Sequence, residues 1–379
     1  MLHLISADLP SAALALVAQL QCRLASQGVQ PQLIDLSGEG LLASLDVPAR
    51  QLSCFGCGSY QVLVWGRIKP GLMEWLELLQ LHEARPELLP ALPGLTQLLQ
   101  CCALADWLAP PMDPTPDGAL ANQSSSDGVA SGSMPMEISS DPPDSIVLLP
   151  PLHQALELME LARTGPALLD QWLEPLLLWW QQTRRGLSRL DLLLRLSLPD
   201  GDALRLSPLW RKRMDHLAAQ LADPARHQWL CALDGGWGPT PLLGDRLCRI
   251  YLRQFQLARL WITGPAAGLA QGALAAVKGP MLVGHGTPLR HGGNQLEAWL
   301  AAPWSAELAV HWLHEGDRTL CQLLLPGLRR ELLKVQQIDQ ELLIEVGGSS
   351  RRLPLPEFLG DKQCSGAKIS GRFLQLQFE

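Results

Sequence analysis

The first hundred residues alternate between short apolar runs and a segment whose apolar residues recur with helical spacing. Leu2–Ser6 is a short apolar run, and Ser11–Gln27 carries an apolar stripe on one side of a helix. Gly28 is suited to the C-terminal cap of that helix. Gln32–Leu36 and Gln61–Trp65 are two more short apolar runs. This alternation predicts an α/β fold with a mostly parallel sheet covered by helices.

The same pattern resumes in the middle of the chain. Residues 152–222 are strongly helical and rich in Leu and Trp, which predicts a helical subdomain. Further elements follow from the same spacing rules: strands at Ser145–Leu149, Gln228–Leu233 and Ala258–Thr263, helices at Leu152–Leu196, Trp210–Leu221, Thr240–Gln256 and Glu297–Trp304, and a long Gly-rich loop at Gly279–Gln295.

The last sixty residues contain only short apolar runs separated by turn residues. Asp339, Gly347-Gly348 and Ser370-Gly371 supply the turns. Several short strands at this spacing predict a small all-β sandwich. The predicted strands are Thr319–Leu325, Glu331–Val335, Glu341–Val346, Arg351–Pro354, Ala367–Ile369 and Phe373–Phe378.

Composition adds a linker and removes several classes of function. Pro110–Asp144 has no aromatic residue and no positive charge, so we expect a flexible insertion, with a regulatory or partner-binding role as the alternative. The net charge of −7, with both signs interspersed, argues against nucleic acid as a partner. Nine Cys without a regular framework are typical of reduced thiols in the cytoplasm.

Neither of the most apolar segments predicts a membrane protein. The N-terminal segment carries Asp8 and Pro10 and lacks a basic n-region, so we expect a buried strand and helix there and not a signal peptide. Leu168–Trp180 is too short to span a bilayer and is interrupted by Asp170 and Glu174.

The C-terminal segment contains LPGLRRELLKVQQIDQELLIEVGGSSRRLPLP followed by SGAKISGRFLQLQFE. The order and spacing of several motifs in these two stretches resemble the α-crystallin (HSP20, small heat-shock) domain. The resemblance covers about residues 316–379. It implies an all-β sandwich in which Gly371 forms the turn between the last two strands.

Three segments of the rest of the chain follow one another in a recognisable order: HLISADLPSAALALVAQLQCRLASQGVQPQLIDLSG, then SIVLLPPLHQALELM, then QWLCALDGGWGPTPLLGDRLCRIYLRQFQLARLWITG. In this order they resemble the ArsA/GET family of dimeric P-loop ATPases, in the branch with a fused crystallin-like domain. The resemblance implies a P-loop-type α/β domain formed by residues 1–109 and 145–315, interrupted by the insertion 110–144 and followed by the crystallin-like domain 316–379. It also implies a homodimer.

The family's phosphate loop has the pattern GKGGVGKTT between a strand and a helix. The corresponding residues are Ser6, Ala7, Asp8, Leu9, Pro10, Ser11, Ala12, Ala13 and Leu14. Both lysine positions and the position of the magnesium-binding hydroxyl are alanine. Asp8 adds negative charge, and Pro10 removes a backbone donor. Since phosphoryl transfer depends on positioning and charge stabilisation, we expect that ATP hydrolysis has been lost.

Two further positions of the family pattern are altered in the same direction. The switch segment corresponds to Val147–Pro151, which carries no Asp for the metal. The strand that in the family ends in an adenine-contacting Asn-Arg corresponds to Ile262-Thr263-Gly264. We therefore expect no cofactor, with ATP and magnesium required only if nucleotide is bound through different residues.

Other candidate sites have simpler interpretations. Cys54 and Cys57 form a CxxC that could bind zinc or cycle as a redox pair, although a second CxxC is lacking and a thiol-bearing turn is the alternative. The apolar segment Leu168–Trp180 is expected to form a helix that could pack in the core, form a dimer interface or provide a surface for protein clients. Its candidate interface residues are Trp172, Leu173, Leu176, Trp179 and Trp180.

These observations favour a cytoplasmic, non-hydrolysing ArsA/GET-like pseudo-ATPase that binds a protein client or partner. Two alternatives stay open. The first is an ATP-dependent targeting factor or chaperone with unusual nucleotide contacts. The second is a structural subunit that pairs with an active paralogue as a heterodimer.

Overall fold

The computed structural model describes residues 1–45, 47–56, 95–109, 144–168, 170–171, 174–183, 208–234, 240–263, 282–286, 294–307, 309–315 and 318–379. The predicted strand Gln61–Trp65, the insertion up to residue 143, and Cys57, Trp172 and Leu173 lie outside these residues.

The N-terminal part contains a seven-stranded sheet in the order β3-β2-β4-β1-β5-β6-β7. Every neighbouring pair in this sheet is parallel. The strands are β1 (Leu2–Ala7), β2 (Gln32–Asp35), β3 (Leu52–Cys54), β4 (Ser145–Leu148), β5 (His227–Asp234), β6 (Leu257–Thr263) and β7 (Leu282–Gly286).

Helices cover both faces of this sheet. Successive strand residues point to opposite sides, and the apolar residues on each side pack against helices. Ile5 packs in one core with α1 and α6, whereas Leu4 packs in the other core with α2, α3, α4 and α5. The helices are α1 (Pro10–Ser26), α2 (Leu95–Leu108), α3 (Leu152–Leu168), α4 (Pro208–Ala222), α5 (Thr240–Leu252) and α6 (Asn294–Ala301).

The predicted loop Gly279–Gln295 is wrong in part, because it contains strand β7 and the start of α6. Gly284 in β7 is the reason for the error. A Cβ at this position would lie 2.4 Å from the ring of Trp261, so the glycine allows that ring to pack over the strand. The same Trp261 ring contacts Trp299 edge to face, at 5.2 Å between centroids. The glycine therefore reflects tertiary packing and not a loop.

The C-terminal part consists of two antiparallel sheets, in the orders β10-β11-β12 and β13-β14-β9-β8. Buried and half-buried residues alternate along β11 and β14, and the buried side chains of both strands share one core. The strands are β8 (Val310–Glu315), β9 (Arg318–Leu324), β10 (Leu333–Ile338), β11 (Glu341–Val346), β12 (Ser349–Pro354), β13 (Cys364–Ser370) and β14 (Phe373–Phe378).

The predicted turns of the sandwich coincide with left-handed backbone. Asp339 has φ 51°, Gly347 and Gly348 have φ 54° and 83°, and Gly371 has φ 59°. Left-handed backbone suits Gly and Asp in short hairpin turns. The predicted fold class, a mostly parallel α/β sheet followed by an all-β domain, is therefore confirmed. The first strand of the sandwich, β8, begins six residues before the position 316 from which the sequence predicts this domain.

Helix α5 joins the two parts of the molecule. Gly327, with φ 77°, lies so close to Gly244 that a Cβ on Gly327 would be 2.5 Å from the Gly244 Cα. Next to this contact, the guanidinium of Arg329 donates two hydrogen bonds to the carboxylate of Asp245, at 3.0 and 2.7 Å. The sandwich is therefore held against α5 by close backbone packing together with a bidentate ion pair.

The described helices contain no segment long and apolar enough to cross a membrane.

Candidate site at the carboxyl edge of the parallel sheet

The connection between β1 and α1 consists of two residues, Asp8 and Leu9. Of the residues predicted to form a degenerate phosphate loop, Ser6 and Ala7 belong to the strand. Pro10, Ser11, Ala12 and Ala13 form the first turn of the helix, with Pro10 at its first position. The chain thus passes from strand to helix without the extended loop that wraps a phosphate group.

Ser6 takes part in the packing between β1 and β5. Its hydroxyl oxygen accepts a hydrogen bond of 2.9 Å from the indole N–H of Trp229, and both side chains are buried. The neighbouring Cys231 is also buried, and burial raises the pKa of its thiol to about 12. Ser6 therefore satisfies a buried donor and is unavailable as a phosphate or magnesium ligand.

The carboxylate of Asp8 points towards β5 and α5. One of its oxygens accepts hydrogen bonds from the Arg246 guanidinium at 3.0 Å and from the Asp234 N–H at 3.2 Å. Its own N–H donates to the carbonyl of Ala232 at 3.0 Å. Only 11% of the Asp8 side chain is exposed. A fixed negative charge, compensated by an arginine of the same chain, therefore lies at the end of β1.

The first turn of α1 offers few donors for an anion. Pro10 has no N–H, and the N–H groups of Ala12 and Ala13 both donate to the carbonyl of Leu9 at 3.1 Å. The side chain of Leu9, at the N-cap position, makes no capping hydrogen bond. A phosphate-binding helix terminus instead directs several free N–H groups at its ligand.

The ends of the neighbouring strands are occupied by structural contacts. Asp35, at the end of β2, is buried and accepts hydrogen bonds from the N–H and hydroxyl of Ser37 and from the N–H of Leu42, at 2.6–2.9 Å. The hydroxyl of Thr263, at the end of β6, donates to the carbonyl of Leu233 at 3.2 Å. The connection from β4 to α3 is Leu149-Pro150-Pro151, which supplies no carboxylate for a metal.

The first cysteine of the CxxC motif, Cys54, is exposed at the end of strand β3. Partial desolvation and the charge of Asp35 both raise the pKa of its thiol, which lowers the thiolate fraction at neutral pH. In the described ranges, no group of three or more His, Cys, Asp or Glu side chains is arranged to hold a metal ion.

Three of the candidate interface residues, Leu176, Trp179 and Trp180, belong to the described helical segment at 174–183. Leu176 and Trp179 are 55% and 58% exposed, Trp180 is half-buried, and Leu177 on the opposite side is buried. Leu178, which the sequence analysis did not single out, is 51% exposed. The segment therefore presents an apolar surface on this chain instead of packing all round in the core.

Sequence reasoning missed Arg246 and Asp234 as neighbours of Asp8. Asp234 follows directly on the apolar run of β5, so its place at the carboxyl edge of the sheet was readable from the pattern. Arg246 lies 238 residues from Asp8, and nothing in its own segment marks it as an ion-pair partner.

Comparison with known proteins concerns the C-terminal part. A search with the whole chain finds no match among curated proteins. Residues 316–378 match the family model of the HSP20-like domain found in ArsA. The parallel sheet of the N-terminal part is compatible with a P-loop fold of the ArsA type. The C-terminal domain of this chain is an HSP20-like domain of the kind found in ArsA.

Proposed function

We propose that this protein is a non-hydrolysing relative of the ArsA/GET ATPases that acts by binding proteins, in a chaperone-like role. The observation that carries the proposal is the two-residue connection between β1 and α1, with the Asp8 carboxylate held by Arg246. A nucleotide phosphate needs free N–H groups, a lysine and a magnesium-binding hydroxyl at this place. This connection provides a negative charge instead.

Electrostatics strengthens the argument. Asp8 and Asp234 both lie at the carboxyl edge of the sheet, where a triphosphate would have to approach. Like charges at close range raise the free energy of the bound state, and the Arg246 side chain already pairs with Asp8. The lack of a carboxylate in Leu149–Pro151 removes the usual metal ligand, and magnesium would otherwise offset the phosphate charge.

The direct test is calorimetric titration of the full chain with ATP and magnesium, alongside an ArsA-type ATPase with an intact phosphate loop as the positive control. We expect no heat of binding at ATP concentrations up to millimolar, because the connection offers neither donors nor positive charge in excess of Asp8. Micromolar ATP binding would overturn the proposal and favour an ATP-dependent targeting factor with unusual contacts.

The protein-binding half of the proposal is supported by the exposed apolar surface at Leu176, Leu178 and Trp179. An apolar surface of this kind suits an apolar helical segment of a client. The test is binding of a fluorescent apolar helical peptide by the full chain and by the double variant Leu176→Ser/Trp179→Ser. We expect at least tenfold weaker binding by the variant.

Gln182→Ser on the same helical segment is the matched control, because Gln182 is exposed and polar, and we expect it to bind as the unmodified chain does. Equal binding by the double variant would rule out this surface as the client site. If the unmodified chain binds no peptide, the structural-subunit alternative gains, and co-purification of a stoichiometric ATPase from the native cell would establish it. The homodimer and the cytoplasmic location are part of the same proposal, and light scattering of the purified chain tests the dimer.

A further inference from the structure

Arg351 occupies an inward position of strand β12. It pairs in register with Ile344 of β11, and buried residues alternate with partly or fully exposed ones along both strands, so Arg351 lies on the same side as the buried Ile344 and Leu353. Only 9% of Arg351 is exposed, and its Nε atom is buried without a hydrogen-bond partner. An inward arginine in a small sandwich is rare unless something compensates its charge.

The described part of the chain supplies no such compensation. Among the described residues no carboxylate pairs with Arg351, and the ionisable groups that shift its pKa are Arg163 and the thiol of Cys321, which is neutral at pH 7. Burial and the charge of Arg163 lower the pKa of the Arg351 guanidinium to about 10, so it remains charged at pH 7. The next residue, Arg352, points outwards and pairs with Glu341 at 3.3 Å. Of these two adjacent arginines, the buried one is the one without a carboxylate.

Arg163 of α3 contributes a second half-buried guanidinium. Its side chain lies over the ring of Phe255, 4.6 Å from the centroid, and donates to the carbonyl of Arg253 at 2.8 Å. The nearby carboxylate of Glu160 is paired with Arg253 at 3.0 Å. Burial lowers the pKa of Arg163 as well, and the charge of Glu160 acts in the opposite direction. Arg163 thus lies against the segment that follows α5, and α5 also packs against β12, the strand that carries Arg351.

We propose that the place where α3, the end of α5 and β12 meet binds a small inorganic oxyanion of the phosphate or sulfate class, held by Arg351 and Arg163. A guanidinium offers a planar pair of N–H donors that matches two oxygens of such an ion. The ion supplies the negative charge that Arg351 lacks, and it satisfies the buried Nε–H of Arg351 that has no partner in the protein. Because Arg351 is nine-tenths buried, a small free ion fits better than an acidic side chain of another protein.

The test is thermal unfolding of the full chain in increasing sodium phosphate or sulfate, compared with sodium chloride at the same ionic strength. We expect a saturable rise of the melting temperature with phosphate and sulfate but not with chloride, because only an oxyanion uses both guanidinium donors. Arg351→Met should weaken the apparent affinity at least tenfold. Arg352→Met is the matched control and should leave it unchanged.

An unmodified chain that responds to phosphate no more than to chloride would overturn the proposal, and so would an undiminished phosphate response in Arg351→Met. If Arg351→Met does not fold, Arg163→Met takes its place. Phosphorus NMR of phosphate, broadened by the unmodified chain and sharpened again by sulfate, is a measurement that needs no variant; no broadening would contradict the site.

The same variants separate this site from the proposed loss of nucleotide binding. Heat from ATP that disappears in Arg351→Met comes from phosphate groups bound at the arginines. Heat that persists in Arg351→Met would contradict the proposed function and leave the oxyanion site to be judged by its own titration.

Discussion

Asp8 and Arg351 are both charged side chains at largely buried positions, but only Asp8 is paired with an opposite charge. The Asp8 carboxylate lies within hydrogen-bond distance of Arg246 and of the N–H of Asp234. Arg351 has no carboxylate partner in the described ranges, and the charge of Arg163 lowers its pKa. A charge that is paired within the protein needs no ligand, whereas an unpaired buried charge is stabilised when an ion of opposite charge binds to it. We therefore expect an anion to bind at Arg351 and not at the connection between β1 and α1.

His3 shows a third way of burying an ionisable group. It lies near the opposite end of β1 from Asp8, is 6% exposed, and its Nδ1 atom has no hydrogen-bond partner. Burial lowers the pKa of its imidazole from 6.5 to about 4, so the ring is neutral at pH 7. At one end of β1, Asp8 is charged and paired with Arg246, and near the other end His3 is neutral at pH 7. Neither residue therefore offers an unpaired charge to a ligand.

The largest effect is expected from a substitution at the contact between Gly327 of the sandwich and Gly244 of α5. Gly327→Ala puts a Cβ 2.5–2.8 Å from the backbone of Gly244 on α5, at a left-handed φ of 77°. We expect a loss of about 3 kcal/mol in the free energy of unfolding, from strain and overpacking together. Because the sandwich carries Arg351, the response to phosphate should weaken as well. Urea unfolding and the phosphate titration measure the two effects.

Gly348→Ala is the control for that prediction. Gly348 has a similar φ of 83° but nothing within 4 Å of the added Cβ, so only the backbone strain of about 1 kcal/mol is expected. Equal losses in the two variants would mean that the contact between Gly244 and Gly327 contributes nothing beyond its backbone angle.

The next effect concerns the suppressed charge of His3. Its folded pKa of about 4 lies below the unfolded value of 6.5, so the unfolded chain binds more protons between these values. Stability should therefore fall as the pH falls from 7 to 5, by about 2 kcal/mol from this residue. His3→Leu should remove that part of the pH dependence, as urea unfolding at several pH values would show. An unchanged slope in His3→Leu would mean that other groups produce it.

The smallest effect measures the two arginine environments directly. A double-mutant cycle with Asp8→Ala and Arg246→Met should give a favourable coupling of about 1 kcal/mol, reduced by the 33% exposure of the Arg246 side chain. The corresponding cycle with Arg163→Met and Arg351→Met should give an unfavourable coupling in phosphate-free buffer. Couplings of the same sign in both cycles would contradict the distinction between a closed ion pair and an open oxyanion site.

Local pattern predicted much of the fold. The strands Glu341–Val346 and Phe373–Phe378 occur at the predicted bounds, because buried residues recur at every second position along both of them, as the apolar spacing of the sequence predicts. The errors arise where tertiary contacts select the residue. The sequence predicts a loop at Gly284, whereas the structure has a strand there. The glycine makes room for Trp261, and this need arises from a neighbouring strand that is distant along the chain. The short strand β3 was not predicted, since three residues carry too little pattern.

The sequence by itself determined that Ser6–Leu14 lacks the glycines, lysines and magnesium-binding hydroxyl that a phosphate loop needs, and that residues 316–379 form an all-β domain, because both rest on residue types in consecutive positions. Tertiary structure alone decided that β1 passes to α1 through two residues, that Asp8 pairs with an arginine 238 residues away, and that Arg351 lies on the buried side of β12 without a carboxylate partner among the described residues. The physical reason is that charge compensation depends on distance in space. Residues that are far apart along the chain and meet only in the folded protein leave no periodic signal in the sequence.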